Sequence, residues 1–231
     1  MGPDDWEWWW GNWRDRIRCG SCRALMLLSA PCPVCKQDYT DLKPAEYVVS
    51  GRVITVPPAF AGALDWSPYV MLQLMQREWL RPLAKDGKLS ALPQSNSPSS
   101  RVLLVLIFWT YFETLMGWFY ETATSELPGT VGPDLLRRYN FIGSRLDRLH
   151  KILFGLTYKD DLEQLGRGAI WRHLEVVQRQ RNAFMHGNPE SIGDSLVDGT
   201  VALIPTFHEA WIESFNMRCA RRGHLLQQVG P

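Results

Sequence analysis

Four cysteines in two pairs, Cys19-x2-Cys22 and Cys32-x2-Cys35, stand nine residues apart near the start of the chain. Two residues between thiols let one tight turn present both sulfurs to a single ion, and two such turns complete a tetrahedron. Four sulfur donors suit zinc and leave no coordination position for water, so zinc here is expected to fold the polypeptide rather than catalyse. Gly20 in the first turn, and Pro31 and Pro33 on either side of Cys32, are residues that tight turns favour. Cys219 stands alone and is assigned no role. The opening MGPDDWEWWW has no basic stretch followed by an apolar one, so a reducing, cytoplasmic location is expected.

A second group of reactive side chains lies in Arg181-Asn182-Ala183-Phe184-Met185-His186-Gly187, where a helical pattern closes. Ile170, Leu174, Val177, Arg181 and Phe184 recur at helical spacing, which puts Arg181 on a core-facing line. A guanidinium there needs a carboxylate or a phosphate. Glu113 is the one charged residue in the apolar run 102–120 and needs a cation for the same reason, so the two are expected to lie close together. Asn182 and His186, four apart, share a face on which the amide can orient the imidazole. Positions five apart are about 140° round a regular helix, so Arg181 and His186 converge only where the helix loosens or across a groove.

The segment resembles the RN-x3-HG form of the Arg-x4–6-His motif of HEPN-domain proteins. These are small helical bundles, many of them metal-independent ribonucleases of bacterial toxin–antitoxin and antiviral systems. The bare pattern also matches Arg145…His150, Arg167…His173, Arg179…His186 and Arg218…His224. Asn directly after Arg, Gly directly after His, and the place at a helix end set 181–187 apart. The preceding helical segments, including FIGSRLDRLHKILFG, agree in order and length, so the resemblance covers about residues 100–222 and none of the cysteine module. Another branch of the family carries a modifiable Tyr two residues after His; Asn188 stands there in this chain.

The resemblance implies RNA cleavage in which a 2′-hydroxyl attacks the adjacent phosphate, leaving cyclic phosphate and 5′-hydroxyl ends. His186 would be general acid or base and Arg181 would stabilise phosphoryl charge, with Asn182 and Glu113 supporting them. One imidazole does not serve both proton transfers at once. In the family, a homodimer brings two motifs together across a groove. Arg137, Arg138, Arg145, Arg148 and Lys151 are then candidate RNA-backbone contacts, although the same charges also read as a solvated face. An antitoxin or a larger defence complex is the implied protein partner. Family members without catalysis serve as binding or dimerisation modules, and that reading stays open, with the motif acting as a helix cap.

The elements that must position these residues follow from pattern and punctuation. The expected fold is mainly α: a HEPN-like helical bundle preceded by a small four-cysteine zinc ribbon with short β-strands. Residues 1–60 make up the ribbon and its Trp-rich start, 61–100 a connecting helix and linker, and 101–231 the bundle. Two β-rich runs flank Ser50-Gly51. A helix is predicted over 66–84 with Ser67 as N-cap and Pro68 at its first position. Further helices are predicted over 101–124, over 134–154 closed by Gly155, over 168–186, and from a capping box at Thr206-x-x-Glu209 to about 222. The intervals 160–166 and 187–204 read as a turn and a long loop. The other histidines, His150, His173, His208 and His224, read as structural or surface.

Charge narrows the functional classes. Basic and acidic residues number 11 and 10 over 1–100, and 14 and 14 over 101–231, so a uniformly basic nucleic-acid coat is excluded and any RNA contact is local. Five of the eleven Trp fall within 6–13, where they either stack on unpaired bases or pack over the ribbon. Val102–Tyr120 has the length and apolarity of a membrane span, but Glu113 in its middle and its amphipathic neighbours favour a buried bundle helix, and no membrane is expected. The leading expectation is a ribonuclease effector; a non-enzymatic interaction module is second.

Overall fold

A computed structural model of the chain describes residues 16–27, 29–41, 45–56, 67–80 and 101–220. The Trp cluster at 6–13, the linker at 82–100 and His224 lie outside these. The described residues divide into two compact units, one holding 67–80 and 101–211 and the other 16–56 together with 212–220. In this division the last turns of the final helix, from residue 212, fall with the cysteine-bearing residues.

In the cysteine-bearing unit, β1 (Arg16–Arg18) pairs antiparallel with β2 (Leu25–Leu27), with Ile17 opposite Met26. A second hairpin joins β3 (Ala45–Val49) to β4 (Arg52–Val56) in the register Val48 to Val53. Its two-residue loop, Ser50 and Gly51, has φ of 52° and 75°. Positive φ at both positions gives the turn whose twist matches that of the strands it joins. This is the hairpin expected around Ser50-Gly51.

The other unit is helical. Its order is α1 (Ser67–Leu80), α2 (Val102–Thr124), α3 (Val131–Arg138), α4 (Ile142–Ser144), a π-helical turn (Arg145–Leu149), α5 (His150–Phe154), α6 (Tyr158–Gln164), α7 (Gly168–Met185), a 3₁₀ turn (Pro189–Ser191) and α8 (Asp194–Cys219). Helix α2 is the centre of the core. Phe108, Tyr111, Phe112, Leu115, Met116, Phe119 and Tyr120 on it are fully buried, and Phe108, Tyr111 and Phe112 ring Phe207 of α8 edge-on. Such aromatic contacts add about 0.5–1.5 kcal/mol each to the area they bury. By length and composition α2 could cross a membrane, and 56% of its most apolar window is buried inside this unit.

Three sequence-based boundaries change. The single helix over 134–154 is broken after Arg138, because Tyr139 (φ −107°, ψ 60°) and Phe141 (φ −88°, ψ 138°) leave helical geometry, and it resumes through a π turn. The interval 160–166 is the body of α6, started by Thr157 and Asp160, each of which bonds the other's backbone N–H. The loop expected over 187–204 is mostly helix, since α8 begins at Asp194 and runs through Pro205. A proline there costs about 3 kcal/mol, and burial of Val197, Val201, Ile204, Phe207, Ala210 and Trp211 on α8 offsets it.

Candidate functional site

The two CxxC turns are built alike. Arg23 N–H donates to Cys19 O at 2.9 Å and Lys36 N–H to Cys32 O at 3.0 Å; Cys19 N–H donates to Ala24 O at 2.8 Å and Cys32 N–H to Gln37 O at 2.9 Å. Arg23 and Lys36, each directly after the second cysteine of its pair, have φ of 63° and 64°. Two side-chain-bearing residues in the left-handed region at equivalent positions give both pairs the same backbone turn. The Ala24 amide bonds the Cys22 sulfur and the Gln37 amide the Cys35 sulfur, extending the equivalence to the donors behind the thiols.

All four sulfurs lie within 4.8 Å of one another, with Cys19 to Cys35 and Cys22 to Cys32 each at 3.5 Å, and no disulfide links them. Bonds of about 2.3 Å to a tetrahedral metal put sulfurs about 3.8 Å apart, so the arrangement fits a metal ion. The thiols are electrostatically unequal. Burial pushes Cys19 up, but amide N–H groups of Cys22 and Ser21 and the Tyr39 hydroxyl bring it down to about 6. Burial raises Cys22 and Cys35.

Sequence reasoning missed what closes this centre. Tyr39 Oη lies 3.6 Å from the Cys19 sulfur and packs over Gly20, where a Cβ would come within 3.2 Å of that oxygen. Ala220 joins Cys19, Cys22, Ala24, Met26 and Cys32 in one buried cluster. Asn216 of α8 bonds both backbone groups of Leu25, accepting its N–H at 2.6 Å and donating to its oxygen at 2.8 Å. Cys219, given no role from sequence, is pushed up to about 12 by burial.

In the helical unit, the motif residues lie in the last turn of α7. Ile170, Leu174 and Val177 are buried as expected, and Arg181 and Phe184 on the same line are half-buried. His186 is the C-cap and is exposed. Gly187 has φ 91°; its N–H donates to Phe184 O, and Asn188 N–H donates to Ala183 O, both at 3.0 Å. That pair of bonds around a left-handed residue is the Schellman closure of a helix, which favours glycine at this position. The Gly of the motif therefore has a structural cause of its own.

The charge partners differ from those expected. Arg181 Nη1 donates to Asn182 Oδ1 at 3.0 Å, while Glu113 accepts the indole N–H of Trp109 at 2.8 Å. The two charges form no ion pair with each other among the described residues, so Glu113 is not the counter-charge of Arg181. Asn182 holds Arg181 rather than the His186 ring. Of the basic run, Arg137 pairs with Asp134 at 2.8 Å, Arg145 Nε donates to Tyr139 O at 2.8 Å, and Lys151 pairs with Asp147 at 3.4 Å. Arg138 lies over the Tyr139 ring, and Arg148 is exposed on the π turn.

His150, read from sequence as structural or surface, lies within a sealed network. Its Nδ1 is 2.9 Å from Tyr120 Oη and its Nε2 2.7 Å from Asp161 Oδ2, and the His150 and Asp161 side chains are 0% exposed. A carboxylate, an imidazole and a hydroxyl in a row have the composition of a nucleophilic triad. Burial on every side keeps substrate from them, so the row is structural. The signal that could have found it is the spacing of His150 and Asp161 across the Gly155 turn. No protein-family model, no curated protein and no solved structure matches this chain, and the reading of both sites rests on their own geometry.

Proposed function

We propose that the helical unit is a metal-independent endoribonuclease of the HEPN type, acting as a toxin or defence effector, and that zinc on Cys19, Cys22, Cys32 and Cys35 shapes the other unit. The observation that carries this reading is the exposed turn that closes α7. His186 stands in solvent there, one turn from Arg181, whose guanidinium is held through one N–H by Asn182. Four of its five N–H donors remain for a phosphate. His186 takes the proton of the 2′-hydroxyl or gives one to the departing 5′-oxygen, and Arg181 carries charge on the phosphoryl oxygens. A second copy of the chain in a two-fold homodimer supplies the other imidazole.

The test is cleavage of single-stranded RNA by the full chain and by His186→Ala and Arg181→Ala. Both substitutions should abolish it without changing the far-UV spectrum. Cleavage should end in cyclic phosphates and should stop when the scissile 2′-hydroxyl is replaced by hydrogen. A 3′-hydroxyl product, or full activity in His186→Ala, would overturn the reading.

One observation favours a second reading, a non-catalytic module that binds nucleic acid or a larger complex. The Schellman closure accounts for Gly187 without any chemistry. RNA that the wild-type protein binds and leaves intact would support it.

A further inference from the structure

Beside the Arg181 turn, α7 and the start of α8 enclose an open cleft of about 350 Å³, lined by His173, Val176, Gln180, Ser191, Ser195 and Leu196 with Gly193 and Gly199. Its size is at the lower end of small-ligand sites. Among the described residues the lining carries no acid and no lysine or arginine, and its hydrogen-bonding groups fix one another's polarity.

Thr200 Oγ1 donates its one proton to Leu196 O at 2.7 Å, so it accepts from His173 Nε2, 3.0 Å away. His173 therefore carries its proton on Nε2, and burial keeps the ring toward the neutral form by lowering its pKa. Its Nδ1 is left as an acceptor with no protein donor among the described residues. Ser191 Oγ likewise spends its proton on the carbonyls of Gln180 and Asn188, at 2.9 and 2.8 Å, which leaves its oxygen as an acceptor. The Gln180 amide offers a donor and an acceptor together. Val176 from α7 and Leu196 from α8 supply apolar walls. A Cβ on Gly199 would come within 3.3 Å of His173 Cε1, a tight contact that would press on the ring, whereas a Cβ on Gly193 meets open space.

We propose that this cleft binds a nucleobase through its Watson–Crick or Hoogsteen edge, with a preference for bases that carry an exocyclic amine. Acceptors at His173 and Ser191 call for N–H donors on the ligand, and an uncharged lining suits a heterocycle rather than a phosphate. The choice of a nucleobase over other N–H heterocycles rests on the ribonuclease reading. Gln180, which lines the cleft, is next to Arg181 in α7, and Ser191 bonds the Gln180 carbonyl, so the cleft and the motif share one stretch of that helix.

The experiment is calorimetric titration of the full-length protein with adenosine, guanosine, cytidine and uridine, and with ribose 5-phosphate as control. At least one of the three amine-bearing nucleosides should bind with Kd below about 1 mM, more tightly than uridine, while ribose 5-phosphate should not bind. Gly193 lines the cleft and has open space at its Cβ position, so Gly193→Leu should crowd the cleft and weaken binding by about ten-fold or more; His173→Phe should do the same by removing Nδ1. Absence of nucleoside binding, or binding unchanged in Gly193→Leu, would overturn the proposal and leave the ribonuclease reading standing. His186→Ala should bind nucleosides normally, so loss of cleavage and loss of the base site are separable. Competition with a 2′-deoxy-blocked RNA oligonucleotide identifies the source: displacement of the nucleoside marks a base of the RNA strand, and no displacement marks a free nucleoside or nucleotide.

Discussion

Asn216 and Leu25 are separated by 191 positions, yet the Asn216 amide satisfies both the N–H and the C=O of Leu25, at 2.6 and 2.8 Å. The side chain acts as an added strand would, pairing with β2 where the cysteine centre begins. Leu25 is 2% exposed, so neither backbone group has water to fall back on. Asn216→Leu should destabilise this unit by about 1–3 kcal/mol, the cost of stranding buried polar groups. A chromophoric chelator should draw metal from the variant faster than from the wild type. Asn216→Asp, which keeps the acceptor and loses the donor, should fall between them. Equal release rates in all three would show that the clamp is incidental.

The metal centre makes a sharper prediction. Purified protein should hold one zinc per chain by elemental analysis, bound by thiolates with no water in the coordination sphere. Cys22→Ser and Cys35→Ser should each lose the metal and unfold residues 16–41 while the helical unit keeps its cooperative melt. Because Asn216 and Ala220 pack in the same unit, amide exchange should also quicken over 212–219 in these variants. A folded, metal-free sample with four reactive thiols would refute zinc at this site.

The four-cysteine cluster is legible in the sequence because CxxC spacing is a local constraint: two turns, two pairs of sulfurs. The Ser50-Gly51 hairpin, Gly155 and Gly187 are legible for the same reason, since positive φ selects residues one position at a time. What escapes is set by tertiary packing. Pro205 reads as a breaker, but the buried face from Val197 to Trp211 outweighs its lost hydrogen bond. Tyr139 and Phe141 fall inside the helix predicted over 134–154 and yet leave helical geometry, a break that periodicity does not carry. An apolar helix gives Glu113 reason to seek a cation, but an indole N–H one turn away meets the need within α2 itself. Asn216 is beyond the reach of pattern, because nothing near it in sequence refers to Leu25.

The Tyr120–His150–Asp161 row should behave as architecture. Asp161→Ala removes the partner of His150 Nε2 in a fully buried setting and should cost about 3–5 kcal/mol, read from urea unfolding of the helical unit. Tyr120→Phe removes one hydroxyl from the row and should cost about 0.5–1.5 kcal/mol. Neither change should alter the ends left on cleaved RNA, and Tyr120→Phe should leave the cleavage rate unchanged. A rate that falls with Tyr120→Phe while the melt does not would move this row from scaffold to active site.

Gly187 and His186 are adjacent, and the structure separates what each does. Gly187 sits at φ 91°, and nothing lies within 4 Å of the point a Cβ would occupy, so a methyl group there has space and only the backbone conformation resists it. Gly187→Ala should therefore cost about 1–2 kcal/mol through the left-handed geometry alone. If the chain relieves that strain by opening the last turn, His186 moves relative to Arg181, and RNA cleavage should fall together with stability. His186→Ala touches none of the capping bonds, which are made by the backbone of Gly187 and Asn188. It should leave the melting temperature essentially that of the wild type and remove cleavage altogether. The two variants thus give opposite patterns: Gly187→Ala less stable and slower, His186→Ala equally stable and inactive. Should His186→Ala instead melt lower and cleave normally, the imidazole belongs to the cap and the Arg–His turn is not a catalytic site.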